Sequence, residues 1–276
     1  MSTSSPDRYA VIGNPIAHSK SPQIHQAFAQ QTGEQLVYTA ELVEPGEVEN
    51  FIKNFAANNG KGLNVTVPFK QDAFQLATEL SPRAQRAGAV NTLKLHGDVI
   101  YADTTDGVGL LNDLTQNHQL VLKNKRILIV GAGGAVRGVL EPLLLAAPQQ
   151  LVIANRTVSK AEQLAQDFAC FGAISASRFE ALAGEQFDLV INGTSASLSG
   201  ELPPLPEQLF AAQACAYDMM YGAEPTAFLK WAQQQGVQHT YDGLGMLVEQ
   251  AAESFYIWRK KRPETRGIIE QLRSQL

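Results

Sequence analysis

One run narrows what this chain can fold into more than any other: RILIVGAGGAVRGVLEPLLLAA, from Arg126 to Ala147. An apolar, β-branched strand passes directly into Gly131-Ala132-Gly133-Gly134-Ala135, and an apolar helix pattern follows at once. Strand, glycine turn and helix in this order make half of a βαβ unit. Glycines in the turn let a pyrophosphate approach backbone N–H groups, and the positive end of the helix then faces the phosphates. The usual third glycine is Val136 here, so the helix must pack on its strand around a larger side chain. The same glycines also suit a plain sharp turn with no ligand.

The choice of dinucleotide is read at the end of the next strand, where NAD enzymes place an acidic residue against the ribose hydroxyl. That stretch is Ile153-Ala154-Asn155-Arg156-Thr157-Val158-Ser159-Lys160 and contains no carboxylate. A guanidinium, a hydroxyl and an ammonium there suit a 2′-phosphate, which favours NADP. The other reading leaves Arg156 and Lys160 as solvated charges at a helix start.

Short β-rich runs alternate with helical stretches along most of the 276 residues, which places the chain in the α/β class with open, parallel-type sheets. Early strands are expected at Tyr9–Gly13, Val37–Leu42, Gly62–Val67, Val90–Leu95 and Val99–Ala102. The last two are joined by a His-Gly-Asp hairpin signal. Helical patterns fall at 22–32, 45–58 and 71–80. A second series begins at Arg126–Val130 and continues through Leu151–Ala154, Asp188–Ile191 and Ala214–Tyr217. From Leu244 the strand signals stop. One amphipathic helix follows, then a second, proline-started one at Pro263. The length suits two cores. The expected division is a first domain of residues 1–105 plus 245–276 around a Rossmann domain of residues 106–244.

A net charge of −5 gives no basic surplus for nucleic acid or an anionic membrane. Cys170 and Cys215 lack metal-ligand or disulfide-framework spacing, so no metal is expected and a reducing compartment fits. The opening MSTSSPDRYAVIG does not read as a secretory leader, and no apolar run is long enough to span a bilayer, so a cytoplasmic enzyme is expected.

Four polar segments adjoin expected strand ends in the first third. In Gly13–Pro22, the hydroxyls of Ser19 and Ser21 suit either a helix cap or a carboxylate. In Gly62–Lys70, alternation puts Asn64 and Thr66 on one side, and Lys70 follows at the carboxyl end where open sheets bind ligands. An ordinary exposed lysine is the competing reading of Lys70. Asn91, in Gly88–Thr92, also reads as a turn residue, and Asp106, in Asp103–Gly109, as a helix N-cap.

Taken in order, SKSP, NVTVPFK, GAVNT, DGVGL, GAGGA, NRT, NGTS, YDMMY and DGLGMLVEQA resemble the shikimate dehydrogenase family over about residues 9–252. The resemblance implies NADP-dependent, reversible reduction of 3-dehydroshikimate to shikimate, a step toward chorismate and the aromatic amino acids. It further implies that Ser19 and Ser21 hold the substrate carboxylate. Asn64, Thr66, Asn91, Asp106, Tyr221 and Gln250 bind ring hydroxyls or the reacting oxygen, and Lys70 is the acid/base. On the cofactor side it points to Gly131, Ala132, Gly133, Gly134 and Ala135. Asn155, Arg156, Thr157 and Lys160 fall around the adenosine phosphate, and Thr194, Met219 and Gly243 near the nicotinamide. Such chemistry is physically coherent, because hydride delivery to a ketone builds negative charge on oxygen and a lysine both donates a proton and supplies positive charge.

Two positions depart from the family pattern. Thr104-Thr105-Asp106 stands where Asn-Thr-Asp is usual, so an amide that braces Asp106 is replaced by a hydroxyl. Pro82 occupies a position that is often acidic in relatives. Three other readings compete: a broader quinate/shikimate dehydrogenase, a non-catalytic ligand-sensing relative, and a folate-linked dehydrogenase. The Asn155-Arg156-Thr157 run disfavours the first, retention of Lys70 with Asp106 the second, and the serine pair the third. Relatives include monomers and dimers, so the chain is read as a monomer or homodimer.

Overall fold

The computed structural model describes residues 6–196 and 200–276; the first five, part of the segment read for a leader, lie outside the described residues. The chain divides into two units, Met1–Gly109 with Val248–Glu270, and Leu110–Leu247 with Gln271–Leu276. Both divisions fall slightly later than the expected 105/106 and 244/245. The last residues, expected with the first unit, count with the second, where Arg273 donates to Asp242 Oδ2 at 2.7 Å and to Gly222 O at 3.3 Å.

In the first unit, β1 (Asp7–Gly13), β2 (Leu36–Leu42), β3 (Gly60–Val65), β4 (Glu79–Leu80), β5 (Thr92–His96) and β6 (Val99–Asp103) form one sheet in the order β2-β1-β3-β5-β6-β4. β1 pairs in parallel with β2 and β3, while β5 runs antiparallel to β3 and β6. The hairpin signal accounts for the reversal, with Gly97 at φ +57° in the turn. Helices α1 (Ser21–Thr32), α2 (Val48–Ala57), α3 (Lys70–Leu76) and α4 (Pro82–Ala87) connect these strands, and α5 (Asp106–Asn112) follows β6. The helix expected over 71–80 stops at Leu76. The chain beyond it is captured by β6, as Thr78 N donates to Ile100 O and Ile100 N to Thr78 Oγ1. Pro82 opens α4 at a position where its missing N–H is harmless, and Ser81 caps the helix by accepting from Ala84 N at 3.1 Å. Ala10, Ile12, Leu63, Val65 and Leu93 pack with Ile52 and Phe55 of α2 to make the core on one face.

The second unit holds β7 (Arg126–Val130), β8 (Gln150–Ala154), β9 (Ile174–Ser177), β10 (Phe187–Asn192), β11 (Phe210–Asp218) and β12 (His239–Asp242), ordered β12-β11-β10-β7-β8-β9 with every pairing parallel. Strand order reverses between β7 and β10. Open α/β sheets bind ligands outside the carboxyl ends of strands at such a point. Helices α6 (Gly134–Leu145), α7 (Val158–Phe168) and α8 (Ala227–Gln234) flank the sheet. The space that Val136 needs in α6 is supplied just beyond β10, the neighbour of β7: a Cβ on Gly193 would collide with Val136 Cγ2.

Two helices close the described chain. α9 (Leu244–Arg259) spans the division at Leu247/Val248, and its Trp258 donates to Leu93 O at 2.9 Å. Gly62 leaves the room, since a Cβ there would lie 2.5 Å from Trp258 Nε1. α10 (Arg266–Arg273) begins after the expected Pro263, because Glu264 is held to α1 by a reciprocal pair of hydrogen bonds with the Gln31 side chain. No described helix is long and apolar enough to cross a membrane.

Candidate functional site

In the first unit, Lys70 is the first residue of α3 and Asp106 the first of α5. Their side chains meet, with Lys70 Nζ 2.6 Å from Asp106 Oδ2, and the lysine side chain remains 33% exposed. Thus Asp106 spends its carboxylate on Lys70 and, through Oδ1, on the Asn91 amide at 2.8 Å, and does not act as a helix cap. Asn91 supplies the brace that the usual amide at Thr104 would give. Its own orientation is set by a donor-only partner, Thr105 N, which reaches Oδ1 at 2.9 Å and so turns Nδ2 toward Asp106.

The network extends inward from Asn91. Gln250 Oε1 accepts from Asn91 Nδ2 at 3.2 Å, and Ser254, one turn further along α9, bonds Thr92 Oγ1 at 2.8 Å. Asn64 lies behind these groups, 7% exposed, donating to Asn91 O at 3.0 Å and Ser254 Oγ at 3.1 Å while accepting from Tyr38 OH at 2.7 Å. Both polar ends of Asn64 are therefore engaged by protein. Thr66 follows β3 and donates its N–H to Ile12 O at 2.9 Å; Gly13 leaves room for its methyl, which a Cβ at residue 13 would meet at 2.5 Å.

Neither serine caps α1 in the expected way: the cap position is Lys20, without a side-chain bond. Instead Ser19 Oγ accepts from Ser21 N at 3.3 Å, which leaves the Ser19 hydroxyl proton free of that contact. Ser21 is buried beside Tyr38, whose phenol is raised well above its ordinary pKa by burial, with Ser21 working against the shift. The ring of Tyr38 stacks on His25 at 4.3 Å and 7°. His25 is 1% exposed and has no hydrogen-bond partner on either nitrogen among the described residues. Burial lowers its pKa to about 3, with nearby Asn64 offsetting only part of that effect.

In the second unit, Gly131 has φ +111°, a conformation that other residues rarely adopt, and donates to Ala154 O at 2.8 Å. Gly133 is the N-cap of α6 and Gly134 its first residue, with open space where a Cβ would stand on either. Backbone N–H groups at that helix start are therefore unobstructed. Beyond β8, Asn155 Nδ2 folds back onto Thr157 O at 2.8 Å, and Arg156, Thr157 and Lys160 are exposed. Arg156 and Lys160 have no ion-pair partner among the described residues. A glycine loop against a helix start, with free cations one strand over, fits a dinucleotide bearing an extra phosphate.

Thr194, Met219 and Gly243 also belong to this unit. A Cβ on Gly131 would meet Thr194 Cγ2 at 3.0 Å, one on Gly193 would meet Met219 Sδ at 3.3 Å, and one on Gly243 would collide with Met219 O. Tyr221, the expected substrate contact outside the first unit, follows β11; burial, then the charge of Asp242, raises its phenol pKa. Tyr38, Thr92, Thr105 and Ser254 in the first unit, and Asn192 and Asp218 in the second, were not singled out by sequence. Asn192 and Asp218 left a signal, since each is a polar residue that ends the buried, mostly apolar half of a parallel strand.

Comparison with known proteins agrees with this geometry. Residues 11–93 match the model of the shikimate dehydrogenase substrate binding domain, 113–199 that of shikimate / quinate 5-dehydrogenase, and 243–273 that of the shikimate 5′-dehydrogenase C-terminal domain. A curated shikimate dehydrogenase (NADP(+)) from Cellvibrio japonicus is 58% identical over 271 residues, 98% of each chain. Among solved structures, an Ael1 enzyme from Pseudomonas putida is 49% identical with a TM-score of 0.92, covering 96% of this chain and 98% of its own. A shikimate 5-dehydrogenase from Thermus thermophilus in complex with NADP(H) and shikimate is 31% identical with a TM-score of 0.87, covering 98% and 100%.

Proposed function

Because this chain belongs to the shikimate dehydrogenase family, we propose that it catalyses the NADP-dependent, reversible reduction of 3-dehydroshikimate to shikimate. The observation that carries the reading is the Lys70–Asp106 contact at 2.6 Å, an ammonium held at the carboxyl end of the first sheet by a carboxylate that Asn91 orients in turn. When bound, the nicotinamide supplies or accepts the hydride. Gly131 to Ala135 would hold the pyrophosphate at the α6 N-terminus, and Asn155, Arg156, Thr157 and Lys160 would bind the adenosine phosphate. Thr194, Met219 and Gly243 line the nicotinamide half.

On the substrate side, the Ser19 and Ser21 hydroxyls hold the carboxylate and Lys70 gives its proton to the oxygen that gains charge in reduction. In the reverse direction Lys70 takes that proton back. Asp106 accepts from a ring hydroxyl and keeps the ammonium aimed, while Asn91 and Gln250 fix the donor and acceptor pattern the ring meets. Thr66 and Tyr221 complete the substrate contacts. Asn64 serves from behind, since its amide is spent on Tyr38, Asn91 and Ser254.

The direct test follows NADPH absorbance with purified protein and 3-dehydroshikimate. Consumption of NADPH well ahead of NADH is expected. No consumption at saturating substrate rejects the reading, and quinate oxidation with NAD outrunning shikimate oxidation with NADP replaces it with the broader quinate/shikimate activity.

A further inference from the structure

Strand β11 ends in a carboxylate with no solvent exposure, Asp218. Three donors converge on it: Asn192 Nδ2 at 3.0 Å and Met220 N at 3.0 Å reach Oδ1, and Thr226 Oγ1 at 2.6 Å reaches Oδ2. At Oδ1 the proton order is fixed by partners that can only donate. Thr194 N donates to Asn192 Oδ1 at 3.1 Å, which turns Asn192 Nδ2 toward Asp218, and Met220 N is itself a backbone donor. Accepting hydrogen bonds from three donors favours the ionised form of a carboxyl, and an anion in the interior of a unit is a costly arrangement unless the charge serves something.

The groups it holds indicate what is served. Through Asn192 it sets Thr194, whose hydroxyl also donates to Asn192 Oδ1 at 2.8 Å, and through Met220 N it sets the turn that carries Met219. Gly131 and Gly193 bring those same two segments against the phosphate loop. The carboxylate thus lies directly behind the surface assigned above to the nicotinamide half, and the inference rests on that assignment. A nicotinamide ring is neutral when reduced and carries one positive charge when oxidised. An anion fixed behind it attracts the oxidised ring and does little to the reduced one.

We propose that Asp218 is a positioning residue that also tunes charge: it fixes the Thr194 and Met219 segments and strengthens binding of the oxidised dinucleotide relative to the reduced one. Asp218→Asn separates the two roles. The retained Oδ1 still accepts from Asn192 and Met220, while the new amide nitrogen donates to Thr226 Oγ1, whose own proton rotates away. The contacts to Asn192, Met220 and Thr226 survive and the charge goes.

The experiment titrates the full chain with NADP+, NADPH and adenosine 2′,5′-bisphosphate, following binding by calorimetry. In Asp218→Asn the ratio of the NADP+ to the NADPH dissociation constant is expected to rise about fivefold to tenfold, with the bisphosphate constant unchanged. Asp218→Ser, smaller and equally neutral, is expected to shift the ratio in the same direction, so the result does not depend on one variant folding. Equal weakening of both dinucleotides, or no change in either, overturns the proposal. Failure of the unaltered protein to bind NADPH or the bisphosphate instead counts against the assignment of the cofactor site, and so is distinguishable.

Discussion

Lys70 and Asp106 are 36 positions apart, yet each opens a helix at the carboxyl side of one sheet, and their contact is close enough for a charge-assisted bond. Replacing Lys70 with Met keeps the length of the side chain and removes both proton and charge. Turnover should fall about a hundredfold to ten-thousandfold while the Michaelis constant for NADPH holds, as read from initial rates. A near-normal turnover with only a raised constant for the ketone would remove Lys70 from the chemistry. His25 makes a different prediction. Its folded pKa of about 3 lies below the ordinary 6.5, so the unfolded chain binds the extra proton first. The neutral imidazole's stability is complete above pH 6.5 and is lost as pH falls toward 3, at about 1.4 kcal/mol per pH unit. Urea unfolding between pH 6 and pH 4 should show that slope, and His25→Phe should flatten it. The residues that carry charge or reactive protons were legible as motifs in the chain. Tyr38, Thr105 and Ser254 were not, because a tyrosine in an alternating strand and a serine in an apolar helix look the same whether or not they meet Asn64.

At the scale of elements, helix α6 and the end of β10 depend on each other. Val136 stands where a third glycine is usual, and the room it takes is given up at Gly193. Gly193→Ala should destabilise the protein by about 1–3 kcal/mol, and adding Val136→Ala should recover most of that, a coupling visible in a double-mutant cycle of thermal midpoints. Additive losses would show that the two positions do not interact. Most strands of both series could be read from apolar runs bounded by glycine and proline, and the NADP preference from the residues after β8. Strands β9 and β12 could not, because Ile174–Ser177 and His239–Asp242 are short segments with no apolar run, at the two edges of their sheet. The short β4 and the early end of α3 could not either, because the pairing that makes them, Thr78 with Ile100, ties a segment whose local pattern favours helix to a strand distant in sequence. The start of α10 was misplaced for a related reason: Pro263 looks like a helix opening until Gln31 claims Glu264.

At the scale of the whole molecule, the proposed function assigns the adenosine phosphate to the second unit. Arg156 and Lys160 stand free of ion pairs in the second unit, so Arg156→Ala should raise the Michaelis constant for NADPH about tenfold and leave that for NADH nearly unchanged. A parallel loss for both cofactors would mean that the side chain does not read the 2′-phosphate. The division has a temporal consequence as well. The first unit takes its sheet from the early part of the chain but its Trp258 and Arg259 from α9, where they bond Leu93 and pair with Asp7 and Glu34. On the ribosome, every strand of the nucleotide unit emerges before those two side chains do. The part of the protein synthesised first must therefore wait with one face uncovered, and a nascent chain stalled before α9 should present that face to chaperones and proteases.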